Sequence, residues 1–405
     1  MVPLAARQRR VKYACYTVNL SMSIVSALPP LLFVTFRSLY GLSYTKLGLL
    51  VLINFCTQLS VDLLFSFFSH RFPLVRTVRM IPVLTALGFV IFALAPVVSP
   101  QNIYPLLALG TVVYSASSGL NEVLASPVIA ALPSDNPDRE MSRLHSVYAW
   151  GLVAVIIVNT LLLRVVGPSR WPLLMLLGVS VPLCSAVLFA FSDIPALQTE
   201  KSAAGVLSSL RDPVLILCIA CIFCSGASEC TMDQWSSSYL EKALGIPKVT
   251  GDILGVAMFA AMMGLGRSLY ARWGKNAERV LLYLMCGTLC CYLVAALSPF
   301  APLGLAACAL TGLCTSMLWP GSLLMVTARR PASGVAVYAL MAAGADLGAS
   351  VGPQMVGVIT DLVAASPVSL ASLAPEQLGM KAGMLAASLF PLAGIFILLR
   401  LRRTK

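Results

Sequence analysis

Twelve apolar stretches, a low charge content and an alternation of basic and neutral gaps predict an all-α membrane protein, with twelve transmembrane helices in two pseudo-symmetric six-helix bundles. Of 405 residues, 59% are hydrophobic and only 11% charged, whereas a soluble domain carries about 25% charged residues. A helix crosses the bilayer in roughly 20 apolar residues, so twelve of them use most of the chain and leave no soluble domain of ordinary size. Cytoplasmic gaps retain Lys and Arg. With each residue near a span end assigned to the adjoining gap, the odd-numbered gaps hold 21 of the 28 Lys and Arg and the even-numbered gaps hold 7. Both termini are therefore expected on the cytoplasmic side of a multi-pass protein in the plasma (inner) membrane.

The spans are expected near 13–36, 44–68, 79–99, 103–132, 143–165, 171–192, 213–240, 249–271, 280–298, 302–327, 334–361 and 381–401. Arg7, Arg9, Arg10 and Lys12 precede span one, but its apolar run is longer than the about 7–15 residues of a signal-peptide core, so it reads as an uncleaved first helix. A polar break at 193–212, with Asp193, Pro195, Glu200, Lys201, Arg211 and Asp212, reads as a central cytoplasmic loop between an N-terminal bundle (1–192) and a C-terminal bundle (213–405). The net charge of +12 fits anchoring beside anionic lipid and not a nucleic-acid partner. Cys218, Cys221 and Cys224 have a spacing that invites an iron–sulfur reading, but the fourth ligand is missing. They read as small packing residues, and no metal, cofactor or disulfide framework is expected.

The halves echo each other. Gly119-Leu120 with Pro127 in span four matches Gly312-Leu313 with Pro320 in span ten, a shift of 193. Val147-Tyr148-Ala149 in span five matches Val337-Tyr338-Ala339 in span eleven, a shift of 190. Duplicated six-helix halves are expected to place a substrate site near the midplane.

The full chain resembles the major facilitator superfamily. The superfamily's loop signature between spans two and three is reduced here to His70-Arg71-Phe72-Pro73 with Arg76 and Arg79 beyond, and its second-half counterpart keeps Arg272, Gly274 and Lys275. The segment from Asn121-Glu122 to Ser142-Arg143-Leu144-His145 is similar to the fucose-permease-like branch. That resemblance implies sugar/proton symport, with Glu122 at the place of a proton-coupling acid; the branch's companion acid in span one is replaced by Asn19.

Five acids are singled out inside the spans: Asp62, Glu122, Glu229, Asp233 and Asp346. Acids at membrane depth default to function. At 1.5 Å per residue, Glu122 lies roughly 15 Å, Asp346 roughly 18 Å and Glu229 roughly 24 Å from the cytoplasmic ends of their helices, which brackets the centre of a core about 30 Å thick. These three are the proton-coupling candidates. No Lys or Arg is expected equally deep, since Arg267 near the end of span eight can snorkel outward. Residues three or four apart share a helical face, and polar stripes run along Asn19, Ser23 and Ser26 (span one), Asn54, Gln58 and Asp62 (two), Ser115, Ser118, Glu122 and Ser126 (four), Ser225, Glu229 and Asp233 (seven), and Tyr338, Asp346 and Ser350 (eleven). Trp150 and Trp319 lie roughly 11 and 12 Å from the cytoplasmic face, deeper than an interfacial belt requires, and a Trp face beside carboxyl and amide groups suits a sugar or another polar ring. The expected substrate-binding residues are Asn19, Gln58, Asn121, Trp150, Gln234, Trp235, Trp319 and Tyr338. Gly348-x-x-x-Gly352-Pro353 in span eleven has the spacing that permits close helix approach.

An enzyme is not expected: His70 and His145 are the two histidines, and no metalloprotease, nucleophile-elbow or phosphate-loop motif occurs. The expected function is secondary transport of a small polar solute, sugar-like by preference, coupled to protons in a monomeric protein in the lipid bilayer. The alternatives are a proton-coupled drug or metabolite efflux antiporter and a non-transporting receptor or scaffold. The Gly-Pro motif that drug antiporters of the superfamily carry in span five is missing from Gly151–Asn159. The topology is checked with reporter fusions. A fluorescent protein at the C-terminus should fluoresce and alkaline phosphatase fused after Asn102 should be active; the opposite pair of signals would invert the orientation.

Overall fold

A computed structural model describes residues 4–68, 71–133, 137–195, 212–273, 276–329, 335–366 and 373–403. All regular elements among these residues are helical. Ten helices are long and apolar enough to cross a membrane, and the pair Leu4–Leu31 and Phe33–Tyr40, bent by 45°, supplies an eleventh. At the expected fourth position stands a 27-residue helix, Tyr104–Ala130. The remaining spans are two (Tyr44–Phe68), three (Leu74–Val98), five (Pro137–Val166), six (Trp171–Gly178 and Ser180–Ala190), seven (Pro213–Lys242), nine (Ala277–Leu297), ten (Ala301–Thr315 and Leu318–Arg329), eleven (Val335–Ala364) and twelve (Pro375–Ala387 and Leu389–Arg403). Span eight starts at Lys248–Thr250, passes through a π-helical stretch at Gly251–Ala257 and continues as Met258–Trp273. Most of the expected central loop lies outside the described residues.

Proline sets the breaks. It has no N–H to donate, and its ring crowds the carbonyl four residues back. Pro182, Pro320 and Pro391 each follow an interruption by three or four residues, at Val179 in span six, Ser316-Met317 in span ten and Ser388 in span twelve. Each break leaves a backbone carbonyl inside the membrane region that must be satisfied within the protein.

Contacts divide the chain into two compact units. The first comprises Met1–Pro29 and Thr57–Ser202. Its core gathers Val11 and Val18 of span one, Phe65 of two, Ile81 of three, Leu124 and Val128 of four, Leu144 of five and Phe189 of six. The Thr85 hydroxyl meets that of Ser117 at 2.6 Å, and Ser117 donates to the Ile81 carbonyl at 2.7 Å, which fixes spans three and four in register.

The second unit comprises Pro30–Cys56 and Ala203–Lys405. Spans seven and eleven form its closest seam. A Cβ on Gly348 would lie 2.0 Å from the Phe223 carbonyl oxygen, and one on Gly226 would lie 2.3 Å from that of Ala345. Only bare backbone fits on either side. Without a hydrophobic driving force between helices in lipid, such small-residue contacts hold a seam by dispersion, and this one brings Asp346 of span eleven within electrostatic range of Cys230 on span seven. The outer hairpin of the unit is held by polar contacts. The Asp361 carboxylate accepts from the Tyr44 and Thr45 N–H groups at 3.1 and 2.6 Å, capping the start of span two. Arg37 pairs with Glu376 at 2.7 Å, and the Tyr44 hydroxyl donates to the same carboxylate.

The seam is tested by Gly348→Val, which should lower stability by about 1–3 kcal/mol through overpacking and reduce the melting temperature of the purified protein. Gly264→Ala, with nothing within 4 Å of the added carbon, should leave the melting temperature unchanged or slightly raised. Equal effects of the two would refute the seam.

Candidate functional site

The strongest polar constellation in the second unit begins with Pro320. Because residue 320 has no N–H, the Ser316 carbonyl lacks its helical partner. Arg267 of span eight supplies one, its Nε donating to Ser316 O at 3.1 Å. The Nη2 of the same guanidinium lies 3.4 Å from Glu229 Oε1 on span seven. The Arg267 side chain is 41% exposed and that of Glu229 13%. Leu254, Met258, Leu265 and Leu269 form the exposed apolar stripe of span eight. Arg267 lies two residues from both Leu265 and Leu269, roughly 160° around the helix from each at about 100° per residue. Its exposure is therefore not toward the lipid-facing stripe. Gly264, one turn before it, has no neighbouring heavy atom within 4 Å of where a side chain would start.

This placement corrects the expectation that the intramembrane acids have no basic neighbour and that Arg267 snorkels to the cytoplasm. Depth counted along one helix does not register an acceptor that a proline exposes on another. Behind the ion pair, Cys230 is within electrostatic range of Glu229, Asp233 and Asp346. Asp346 is 3% exposed, and Asp233 accepts from the Gln234 amide at 2.8 Å. The three acids of spans seven and eleven thus share one neighbourhood with one guanidinium at its edge. Glu229 Oε2 is buried with no hydrogen-bond partner among the described residues.

The first unit answers with amides. Asn121 Nδ2 of span four donates to Asn19 Oδ1 of span one at 2.7 Å, and Asn19 Nδ2 donates to the Leu144 carbonyl of span five at 2.9 Å. Ser23 donates to the Tyr148 carbonyl at 2.9 Å, and the Tyr148 hydroxyl meets Ser26 at 3.1 Å. Both asparagines are buried, and Asn121 Oδ1 has no partner among the described residues. Glu122, next in sequence, is exposed. It lies roughly 80–140° around the helix from the exposed Val112 and Leu109, away from that apolar stripe.

The other expected residues scatter. Gln58 is half-buried where span two crosses span four, its carbonyl 3.1 Å from the position of a Cβ on Gly119. Trp150 is 71% exposed and shares its face with the exposed Val158, Leu161 and Val165, roughly 160° from Tyr148. Trp319 packs against the apolar cluster of Leu281, Leu318 and Leu398. Trp235 is fully buried, donating to the Pro353 carbonyl at 2.9 Å and flanked by Phe33 and Tyr44. Gln234 is buried beside Asp233. The side chain of Tyr338 lies outside the described residues. Trp235 and Trp319 are thus packed within the second unit, and Trp150 lies on the exposed apolar face of its helix in the first. Sequence reasoning also passed over Asp252, fully buried in the π-helical stretch with Lys248 Nζ at 3.2 Å and Ser237 Oγ at 2.5 Å. Its nearness to a span end carries no depth signal. For Ser316, the proline four residues later was a readable one.

The Major Facilitator Superfamily profile matches residues 14–353. No curated protein sequence matches this one. Solved structures with a similar fold include a bacterial homologue of the human lysosomal transporter Spinster in an inward-facing, occupied conformation, at 13% identity and TM-score 0.74, covering 100% of this chain and 98% of that one. The nucleoside transporter NupG matches at 11% identity and TM-score 0.73, over 98% and 99% of the two chains. FucP, a superfamily transporter in the outward conformation, matches at 16% identity and TM-score 0.62, over 96% and 98%.

The amide network is tested by Asn19→Leu. It strands the buried Asn121 amide, at about 1–3 kcal/mol for the orphaned group, and the melting temperature should fall accordingly. An unchanged value would show that the amide pair does not form.

Proposed function

The chain belongs to the Major Facilitator Superfamily, and from that premise we propose that it moves a small polar solute across the plasma membrane by proton symport, through alternating access. The observation that carries the reading is the group of carboxyls on spans seven and eleven, buried at Asp346 and half-buried at Glu229 and Asp233, beside the Arg267 guanidinium. A carboxyl group at membrane depth is costly as an anion and takes up a proton readily once water reaches it, so a group of them behind one cation is suited to load and release protons. Glu122, exposed and away from the apolar stripe of its helix, is a second proton-coupling group. Asn19 and Asn121 offer amide donors and acceptors of the kind that fix a polar solute. The expected sugar preference draws no support from the tryptophans, two packed within the second unit and one on an exposed apolar face, so the proposal is a polar solute without a required ring-stacking surface.

The test uses the purified chain in proteoliposomes loaded with a pH-sensitive dye. A solute that raises the melting temperature in a ligand screen should acidify the lumen as it enters down its gradient. Glu122→Gln should abolish pH-driven accumulation and retain part of the solute exchange. Full proton-coupled uptake by that variant would remove Glu122 from the mechanism, and uptake without proton movement would overturn symport altogether.

A further inference from the structure

A guanidinium carries five N–H donors in a planar fork. Arg267 commits Nε to Ser316 O at 3.1 Å and one hydrogen of Nη2 to Glu229 Oε1 at 3.4 Å. The other three have no partner among the described residues. The Glu229 contact is long, since ionised pairs of this type close to about 2.7–2.9 Å. The guanidinium is anchored firmly by its Nε and held loosely at its Nη2, and the side chain is 41% exposed. The accessible charge in this neighbourhood is thus positive, and the negative groups lie behind it, with Glu229 only 13% exposed and Asp346 3%.

Two free N–H groups on one edge of a guanidinium match the two oxygens of a carboxylate. We propose that Arg267 anchors a solute bearing a carboxylate or comparable oxyanion, and that a proton on Glu229 transfers the guanidinium from the protein's own carboxylate to the solute's. This rests on the symport reading above and names the class of solute. The charge count supports the exchange. With Glu229 ionised, the pair is neutral. With Glu229 protonated and an anion bound, the sum is again neutral. Neither state leaves an uncompensated charge in a low-dielectric setting, where breaking an ion pair from one side is strongly unfavourable. One proton enters with each anion.

Arg267 from span eight and Asp233 on its own span act on Glu229 directly, and the adjacent Cys230 also interacts with Asp346 of span eleven and Tyr292 of span nine, whose hydroxyl donates to the Ser228 carbonyl at 2.7 Å. Protonation of Asp233 or Asp346 would lower the negative potential without releasing Arg267. Glu229 is the acid in contact with it.

The experiment is a thermal-shift and calorimetric screen of the purified full chain in nanodiscs, using small carboxylates that stay ionised from pH 5.5 to 8, including lactate, gluconate and glucuronate, each paired with its neutral alcohol or sugar and with an amine of similar size. Carboxylates should bind and their neutral and amine counterparts should not. Affinity should rise about tenfold per pH unit on acidification through the range in which Glu229 titrates. Glu229→Gln should bind at pH 8 as the parent does at low pH, with a flat pH profile. Arg267→Gln should lose binding at least tenfold, with Arg267→Lys between. Absence of any carboxylate ligand overturns the proposal, as does a carboxylate whose affinity is indifferent to Arg267. A neutral or amine ligand accumulated under a pH gradient would sink the anion assignment and leave proton symport standing. A carboxylate bound through Arg267 yet not accumulated would keep the site and sink symport.

Discussion

A charge inside a membrane protein needs a partner supplied by the protein itself, and the contact between Arg267 and Glu229 is where this chain meets that requirement. The arrangement starts from a backbone effect. Pro320 removes one N–H, the Ser316 carbonyl is left over, and that oxygen draws the Arg267 Nε to 3.1 Å. Once the guanidinium is turned inward, Glu229 has a counter-ion and the carboxyls behind it share a cation at their edge. A single imino acid on span ten therefore decides the electrostatics of residues on spans seven and eight.

The two units meet the same constraint by different chemistry. In the first, the paired polar side chains are neutral amides, in a chain from Asn121 through Asn19 to Leu144, with the exposed acid Glu122 beside them in sequence. In the second, they are ionisable. The seven–eleven seam is the tighter template, since Gly226 and Gly348 admit no side chain and hold the acids of two helices together. Neutral amides hold their hydrogen bonds at any physiological pH, whereas carboxyls change state with the proton supply.

Much of this was legible in the sequence. Apolar run lengths gave the span positions, and Gly348-x-x-x-Gly352 announced a close helix contact. Asn19, Asn121, Glu229 and Asp346 could be singled out because a polar residue in a 20-residue apolar helix has few bland explanations. The direction of Arg267 was not legible from its own helix, because position along an axis says nothing of an acceptor on a neighbour. It was partly legible from the serine–proline spacing at 316 and 320. Trp150 shows the converse. Depth alone made it a substrate candidate, but its face is set by rotation, which the exposed Val158, Leu161 and Val165 share. Asp252 was hidden by its nearness to a span end, and Lys248 four residues earlier, now its ion-pair partner, was the cue.

The central claim is that Arg267 and Glu229 act on each other within the membrane. A double-mutant cycle on the melting free energy of Arg267→Gln, Glu229→Gln and the double variant measures that directly. The double variant should be less destabilised than the sum of the single ones, with a coupling of about 1 kcal/mol or more. Additivity within about 0.3–0.5 kcal/mol would mean that the two side chains do not interact.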